Sequence, residues 1–510
     1  GVEESQEVSL KGQDGFKKVM VDNRGNRTET ISETEAIPGK NVYLSIDVNL
    51  QKIAEESLKR TLESIRNASE YKSKWGSYTP HESHPNATSG AVVVIDVKTG
   101  KVLALASYPS YDPNLFVTGI SNSDWISLFP EDPRDFLAPR PLYNIATQSI
   151  SQPGSTFKPI IASAALASGK WKLDQVYNDK GSFVANGHVM QNWNGEGYGP
   201  VRLIDILKFS INTGMAEIGT TTGADILSKY VRNYGFGSKT GIELPGEGDG
   251  ILYNPDDMSK LDVATMSIGQ GIAVTPLQMV RAFGAIANGG SMMKPHIVKS
   301  YSNIKGEVTS TTDPEVVGQP IPEETAKTIA DILEKEVSEG GGTKAMVEGY
   351  HFGGKTGTAE KLDTKNGGYL AGRYIVSFIG FGPVEDPKFV VLVAIDDPKK
   401  GSLYGSQIAA PVFKNIVSQL VRYYQMSPSV KDGATVAAVP AAKLPAVKPN
   451  GDGSVVLPDF RGYTFGEVRD WLHTAGLYFK PDGTGKAISQ EQLPGTVVSP
   501  GTPIVVQFSH

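Results

Sequence analysis

No cysteine occurs among the 510 residues of the chain. Disulfides, thiolate metal sites and a cysteine nucleophile are therefore excluded. No run of about 18 apolar residues occurs, so no segment reads as a bilayer-spanning helix. Positive charge is not in excess: 49 lysines and arginines against 55 acidic residues leave a net charge of −6. That argues against broad binding to nucleic acid, which needs a basic surface. Aromatic residues make up 8% of the chain, 39% is hydrophobic and 20% charged, in the range of globular proteins. The length points to more than one domain.

Two motifs fall short of their patterns. His81-Glu82-Ser83-His84 is one residue shorter than a zinc-protease pair, so its histidines would not share a helix face, and it reads as a loop. Gly269-Gln270-Gly271 is too sparse for a nucleotide loop. No metal and no cofactor is expected.

Residues 1–40 are polar and rich in turn signals. Asp47 is a plausible N-cap for an amphipathic helix carrying Leu50, Ile53, Leu58, Leu62 and Ile65 at helical spacing. Residues 90–109 read as a β-hairpin turning at Asp96–Gly100. Residues 155–170, 201–210 and 223–237 read as helices. Strands are expected over 373–381 and 388–395, then a helix over 408–424. From Ser427 the composition shifts. Prolines at 428, 440, 445 and 449 mark an extended linker over 427–454. Residues 455–510 read as a β-α-β-β module whose helix opens with the capping box Thr464–Glu467.

Lys-Thr-Gly occurs three times, at 98–100, 239–241 and 355–357. The first copy lies in the hairpin turn, where glycine serves the backbone. The second is followed by an apolar stretch that ends at Pro245, which suits a loop or edge. The third precedes two strong strands and reads as the first strand of a three-stranded antiparallel sheet. There Lys355 would present a cation to a carboxylate and Thr356 a hydroxyl, and Gly357 would let a ligand backbone approach.

Ser155-x-x-Lys158 follows the turn signal Pro153-Gly154 and opens an apolar helix. Pro159 would cost about 3 kcal/mol deep in a helix, so the helix should begin near Ser155. A helix N-terminus offers free N–H groups to an oxyanion. Serine is a poor nucleophile without a base. No histidine lies in this stretch; His188, His296 or His351 would have to come from afar. Lys158 is the simpler base, provided its pKa falls by roughly 3 units, about 4 kcal/mol, through burial and a nearby cation. Taken alone, this pair reads equally well as a surface Ser and Lys at a helix start. Ser210-Ile211-Asn212 lies between two helical stretches. Alone it reads more readily as a helix cap; functionally, Ser210 would relay a proton and Asn212 would orient the lysine and the substrate amide.

The order of the three motifs, 55 residues from Ser155 to Ser210 and 145 from Ser210 to Lys355, resembles the transpeptidase domain of class B penicillin-binding proteins. The stretches "GAVVVIDVKTGKVLALASYPSYDPN", "QPGSTFKP", "GFGSKTGIELPGE", "SIGQGIAVTPLQMVRAFGAIANGG" and "GGKTGTAEK" carry the same resemblance over about 40–425. Residues 455–510 resemble a PASTA module, and residues 1–40 the end of an N-terminal pedestal domain. The resemblance implies an α/β penicillin-binding/serine-transferase fold: an antiparallel sheet flanked by helices, with a helical subdomain. It implies a pedestal remnant at 1–40, a transpeptidase domain at 41–426, the linker at 427–454 and the PASTA domain at 455–510.

The resemblance also implies a serine-type D-Ala–D-Ala transpeptidase that cross-links peptidoglycan stem peptides and is acylated by β-lactams. Ser155 would attack, with Lys158, Ser210 and Asn212 completing the catalytic set. Lys355, Thr356, Gly357 and Thr358 would bind substrate, and the N–H groups of Ser155 and Thr358 would form the oxyanion hole. A membrane glycosyltransferase is the implied partner. The implied location is the extracytoplasmic face of a bacterial membrane, with an anchor upstream of Gly1. A serine β-lactamase shares the motifs, but its Glu-x-x-Leu-Asn stretch does not occur between Asn212 and Lys355. The same chemistry would serve a D,D-carboxypeptidase, which the class B stretches disfavour. A non-catalytic β-lactam receptor or wall-binding scaffold would differ from all of these in acylating once and stopping.

Overall fold

The computed structural model describes the chain except residues 69–70, 74–75, 79–84, 133–137, 364–367, 400–404, 430–443, 483–485, 491, 493–494 and 510. The segment 81–84 and most of the proline-rich linker therefore lie outside the described residues. The chain divides into two compact units, Gly1–Ser429 and Val430–His510.

The first unit is organised by a five-stranded antiparallel sheet. Its strands, in chain order, are β1 (Ser89–Asp96), β2 (Val102–Tyr108), β3 (Gly353–Leu362), β4 (Tyr369–Gly382) and β5 (Phe389–Lys399), and their spatial order is β3-β4-β5-β1-β2. The sheet is larger than the three strands expected, because the 90–109 hairpin joins it: Val92 pairs with Val393 and Val94 with Val391. The hairpin's own turn is as expected. Asp96 accepts from the N–H groups of Lys98 and Thr99, and Gly100 takes φ 76°.

Seven of the described helices pack the sheet or carry the site: α1 (Val48–Asn67), α2 (Lys158–Ala167), α3 (Leu203–Lys208), α4 (Asn212–Thr222), α5 (Pro276–Ala287), α6 (Glu323–Ser338) and α7 (Ala409–Tyr423). Both faces of the sheet are covered, which is why β1 and β5 read as nearly unbroken apolar runs. Val93, Ile95, Ile379 and Leu392 belong to the core shared with α2, α5 and α6. Val92, Val94, Phe378 and Val393 belong to the core shared with α1 and α7. Phe378 is fully buried, its ring 4.7 Å from that of Phe413 on α7. Burial of such a side chain contributes about 1.5–3 kcal/mol. Asp47 caps α1 by accepting from Asn49 and Leu50 N–H, as its sequence position predicts.

The chain stays part of the first unit three residues beyond the expected boundary at Met426. Ser429 N–H donates to Gly349 O at 2.9 Å, and its hydroxyl donates to Glu385. Among its described residues the second unit has five strands around the helix Phe465–Thr474, two more than expected. Val455–Val456 pairs with Val497–Val498, and Pro503–Ser509 lies between Tyr478–Asp482 and Lys486–Gln490. Lys486–Gln490 escapes notice because it is short and mostly polar in sequence.

Candidate active site

The nucleophile turn begins at Gly154, which takes φ 56°. Residues Gly154–Phe157 form a single 3-10 turn that runs straight into α2 at Lys158. Pro159 therefore falls in the first turn, where its missing N–H has no helical partner to lose. Lys158 N–H donates back to Ser155 O, so the serine and the lysine sit on consecutive turns.

The Lys158 side chain is fully buried. Its ammonium donates to Ser210 O at 2.7 Å, Ser210 Oγ at 3.1 Å and Asn212 Oδ1 at 2.7 Å. Ser210 lies in the link between α3 and α4 with φ 56°, a conformation uncommon for a non-glycine residue. There its carbonyl and hydroxyl both reach the lysine. Asn212 opens α4, and its amide donates to Gln191 O. Burial, reinforced by the positive charge of Lys355, pushes the Lys158 pKa well below that of an ordinary lysine. That is the condition a lysine base has to meet.

The third Lys-Thr-Gly copy occupies β3, an edge strand of the sheet. The strand and the nucleophile turn touch. A Cβ on Gly357 would lie 2.8 Å from Thr156 Cγ2, and a Cβ on Gly154 would lie 2.9 Å from Thr358 O. A Cβ on Gly357 would also lie 2.4 Å from Ser377 Oγ on β4, so the protein's own packing there also calls for glycine. Lys355 does not stand free in solvent. Its side chain is fully buried and its ammonium is 2.9 Å from Glu336 Oε1 on α6. Thr356 and Thr358 are half-buried; the Thr356 hydroxyl donates to Glu336 at 3.0 Å.

The other two copies are built differently. Lys98 is exposed and donates to Asn288. Lys239 is exposed on a loop, where Glu247 accepts from the Thr240 and Gly241 N–H groups. His351 pairs with Glu385, His296 contacts Lys294 O and His188 is exposed; none of these contacts involves the serine.

Sequence reasoning passed over three supports. Gly269 of the rejected glycine pair backs the nucleophile turn: Gly154 N–H donates to Gly269 O at 3.0 Å. A Cβ on Gly269 would lie 2.0 Å from Gly154 O, so only glycine fits. Asp179 is buried and accepts from Thr213 Oγ1 at 2.6 Å and from Asn192 Nδ2 at 2.7 Å, holding the start of α4. Burial opposes its charge, but these bonds and those from Gly181 and Tyr198 N–H hold its pKa below the usual value. Glu336 is the third. Its only local signature is an acid at the end of an amphipathic helix, where solvation is the ordinary reading.

Known proteins match this arrangement. The profile of the penicillin binding protein transpeptidase domain matches residues 90–418. The chain belongs to the class B penicillin-binding proteins. A penicillin-binding protein dimerisation domain matches at 1–44 and a PASTA domain at 455–510. Stage V sporulation protein D of Bacillus subtilis is 33% identical over the whole of this chain and 72% of its own length. The peptidoglycan D,D-transpeptidase FtsI of Escherichia coli is 31% identical over 84% of this chain, which spans 64% of that relative. Among solved structures, one titled as a putative peptidoglycan glycosyltransferase from Atopobium parvulum superposes with a TM-score of 0.66 at 25% identity, over 84% of this chain and 87% of that one. The transpeptidase domain of Burkholderia pseudomallei penicillin-binding protein 3 gives 0.60 at 28% identity, over 76% and 98%. The α/β penicillin-binding fold read from the sequence is the fold of these structures.

Proposed function

We propose that this class B penicillin-binding protein cross-links peptidoglycan stem peptides through an acyl-enzyme on Ser155. The supporting observation is the buried Lys158 ammonium, held by Ser210 and Asn212 one turn beyond the serine and beside the strand carrying Lys355. Neutral Lys158 takes the Ser155 proton as the hydroxyl attacks the penultimate D-alanine carbonyl. Ser210, whose hydroxyl accepts from the Lys158 ammonium, passes that proton to the departing D-alanine amine. The N–H groups of Ser155 and Thr358 receive the oxyanion; one such donor is typically worth about 10²–10³ in rate. Beside β3, the positive charge of Lys355 favours a substrate carboxylate, and the half-buried Thr358 hydroxyl offers it a donor. The amine of a second stem peptide then resolves the acyl-enzyme. The membrane glycosyltransferase partner and the extracytoplasmic location belong to the same proposal.

A labelled penicillin is expected to modify Ser155 and leave a slowly hydrolysed adduct, mapped by peptide mass. A label on Ser291, or rapid turnover of the drug as in a β-lactamase, would refute the assignment. Turnover of a peptide or thioester donor distinguishes the enzyme from a receptor, which acylates once and stops.

None of the three motifs lies beyond Ser429, and that residue completes the first unit. A chain ended after Ser429 is therefore expected to fold and to be acylated at a rate within about tenfold of the full chain, roughly 1.4 kcal/mol. A larger loss, with an unchanged melting temperature, would mean that residues 430–510 take part in acylation.

A further inference from the structure

Glu336 lies in the last turn of α6 and is fully buried. Three donors converge on its Oε1: the Lys355 ammonium at 2.9 Å, Thr356 N–H at 3.2 Å and the Thr356 hydroxyl at 3.0 Å. Its Oε2 is buried with no hydrogen-bond partner among the described residues. Gly342 makes room for that oxygen; a Cβ there would lie 2.3 Å from it.

Stability does not account for this carboxylate. A buried ion pair is often no more stable than apolar residues of the same volume, and leaving one oxygen unpartnered adds to its cost. What the carboxylate touches does account for it. Its partners are the first two residues of the one Lys-Thr-Gly copy beside Ser155. Lys355 is buried and close enough to Lys158 for the two charges to act on each other.

We propose that Glu336 is a positioning residue for substrate recognition, fixing the Lys355 ammonium and the Thr356 hydroxyl in place so that β3 can receive the carboxylate of the donor peptide or β-lactam. With the Thr356 hydroxyl committed to Glu336, Thr358 is the hydroxyl left to donate to that carboxylate. The inference rests on acylation at Ser155 and on Lys355 as the source of the attraction.

The test uses the full chain and two probes, benzylpenicillin as the free acid and as its methyl ester, which lacks the charge. Second-order acylation rates are measured for wild type, Glu336→Gln and Glu336→Asp, with melting temperatures and mapping of the adduct. Wild type is expected to prefer the acid. Glu336→Gln is expected to lose at least tenfold with the acid and less than threefold with the ester. Glu336→Asp, which keeps the charge at shorter reach, is expected to lose at least threefold with the acid and to keep much of the preference. Equal slowing with both probes, as a merely structural role would give, overturns the proposal; so does no slowing with either. Should Glu336→Gln not fold, the aspartate variant decides by the same acid-selective criterion. A wild type that is acylated at Ser155 without preferring the acid would overturn this inference and leave the Ser155 assignment standing. Failure to label Ser155 at all would overturn both.

Discussion

Glutamine in place of Lys158 is expected to slow acylation of Ser155 by about 10³-fold, some 4 kcal/mol of transition-state stabilisation. Positioned general bases contribute about 10²–10⁴-fold. This lysine touches Ser210 and Asn212 and follows the serine by one turn, so nothing else in the described site stands ready to replace it. The pH dependence follows from the direction of its pKa shift. Burial and the Lys355 charge lower that pKa, so the neutral, proton-accepting form exists at lower pH than for an ordinary lysine. Acylation by wild type should rise with pH through the shifted pKa and then level off. The residual rate of Lys158→Gln should lack that rise.

Stability should also rise with pH. The folded state binds the Lys158 proton less tightly than the unfolded chain, so this group destabilises the fold below the ordinary lysine pKa near 10.5. The penalty shrinks as pH rises from the folded pKa towards that value. Lys158→Met should therefore melt higher than wild type at pH 7, and the gap should narrow at pH 10. A glutamine variant that keeps more than a tenth of the wild-type rate would remove Lys158 from the role of base.

The three Lys-Thr-Gly copies should respond very unequally to alanine. Lys355→Ala is expected to lower the acylation rate at least about 100-fold, while Lys98→Ala and Lys239→Ala stay within threefold. Lys355 is fully buried, paired with Glu336, and the source of the charge that acts on Lys158. Its removal takes away the cation beside β3. It also relieves the repulsion on Lys158, so the rise of acylation with pH should move to higher pH. The orphaned Glu336 should cost stability as well, about 3–5 kcal/mol for a broken buried pair. Rates should therefore be taken well below the variant's own melting temperature. Lys98 and Lys239 are exposed, on a turn and a loop. Exposed side chains of this kind usually change stability by no more than about 0.5 kcal/mol. Similar losses at all three positions would contradict the assignment of β3.

Much of this was legible in the sequence because the signals are local. The Asp96–Gly100 turn needs one carboxylate, two nearby N–H groups and one glycine. The start of α2 is set by Pro159, and that of α1 by the Asp47 cap. The apolar runs of β1 and β5 announce strands buried on both faces. Motif order and family resemblance then grouped Ser155, Lys158, Ser210 and Asn212, although the geometry joining them was not derivable from their spacing.

Tertiary structure alone decided the rest. It placed the hairpin 89–108 in the same sheet as Lys355, through pairing with β5 across some 300 residues. It set Gly269 behind Gly154, and put Glu336 rather than solvent beside Lys355. It also packed Gly357 between Ser377 and the nucleophile turn. Each of these is a contact between segments far apart in the chain or on different elements. A glutamate at a helix end or a glycine in a loop carries no local mark of what will pack against it. Its burial, and hence its charge balance and its purpose, arise only when the other segment arrives.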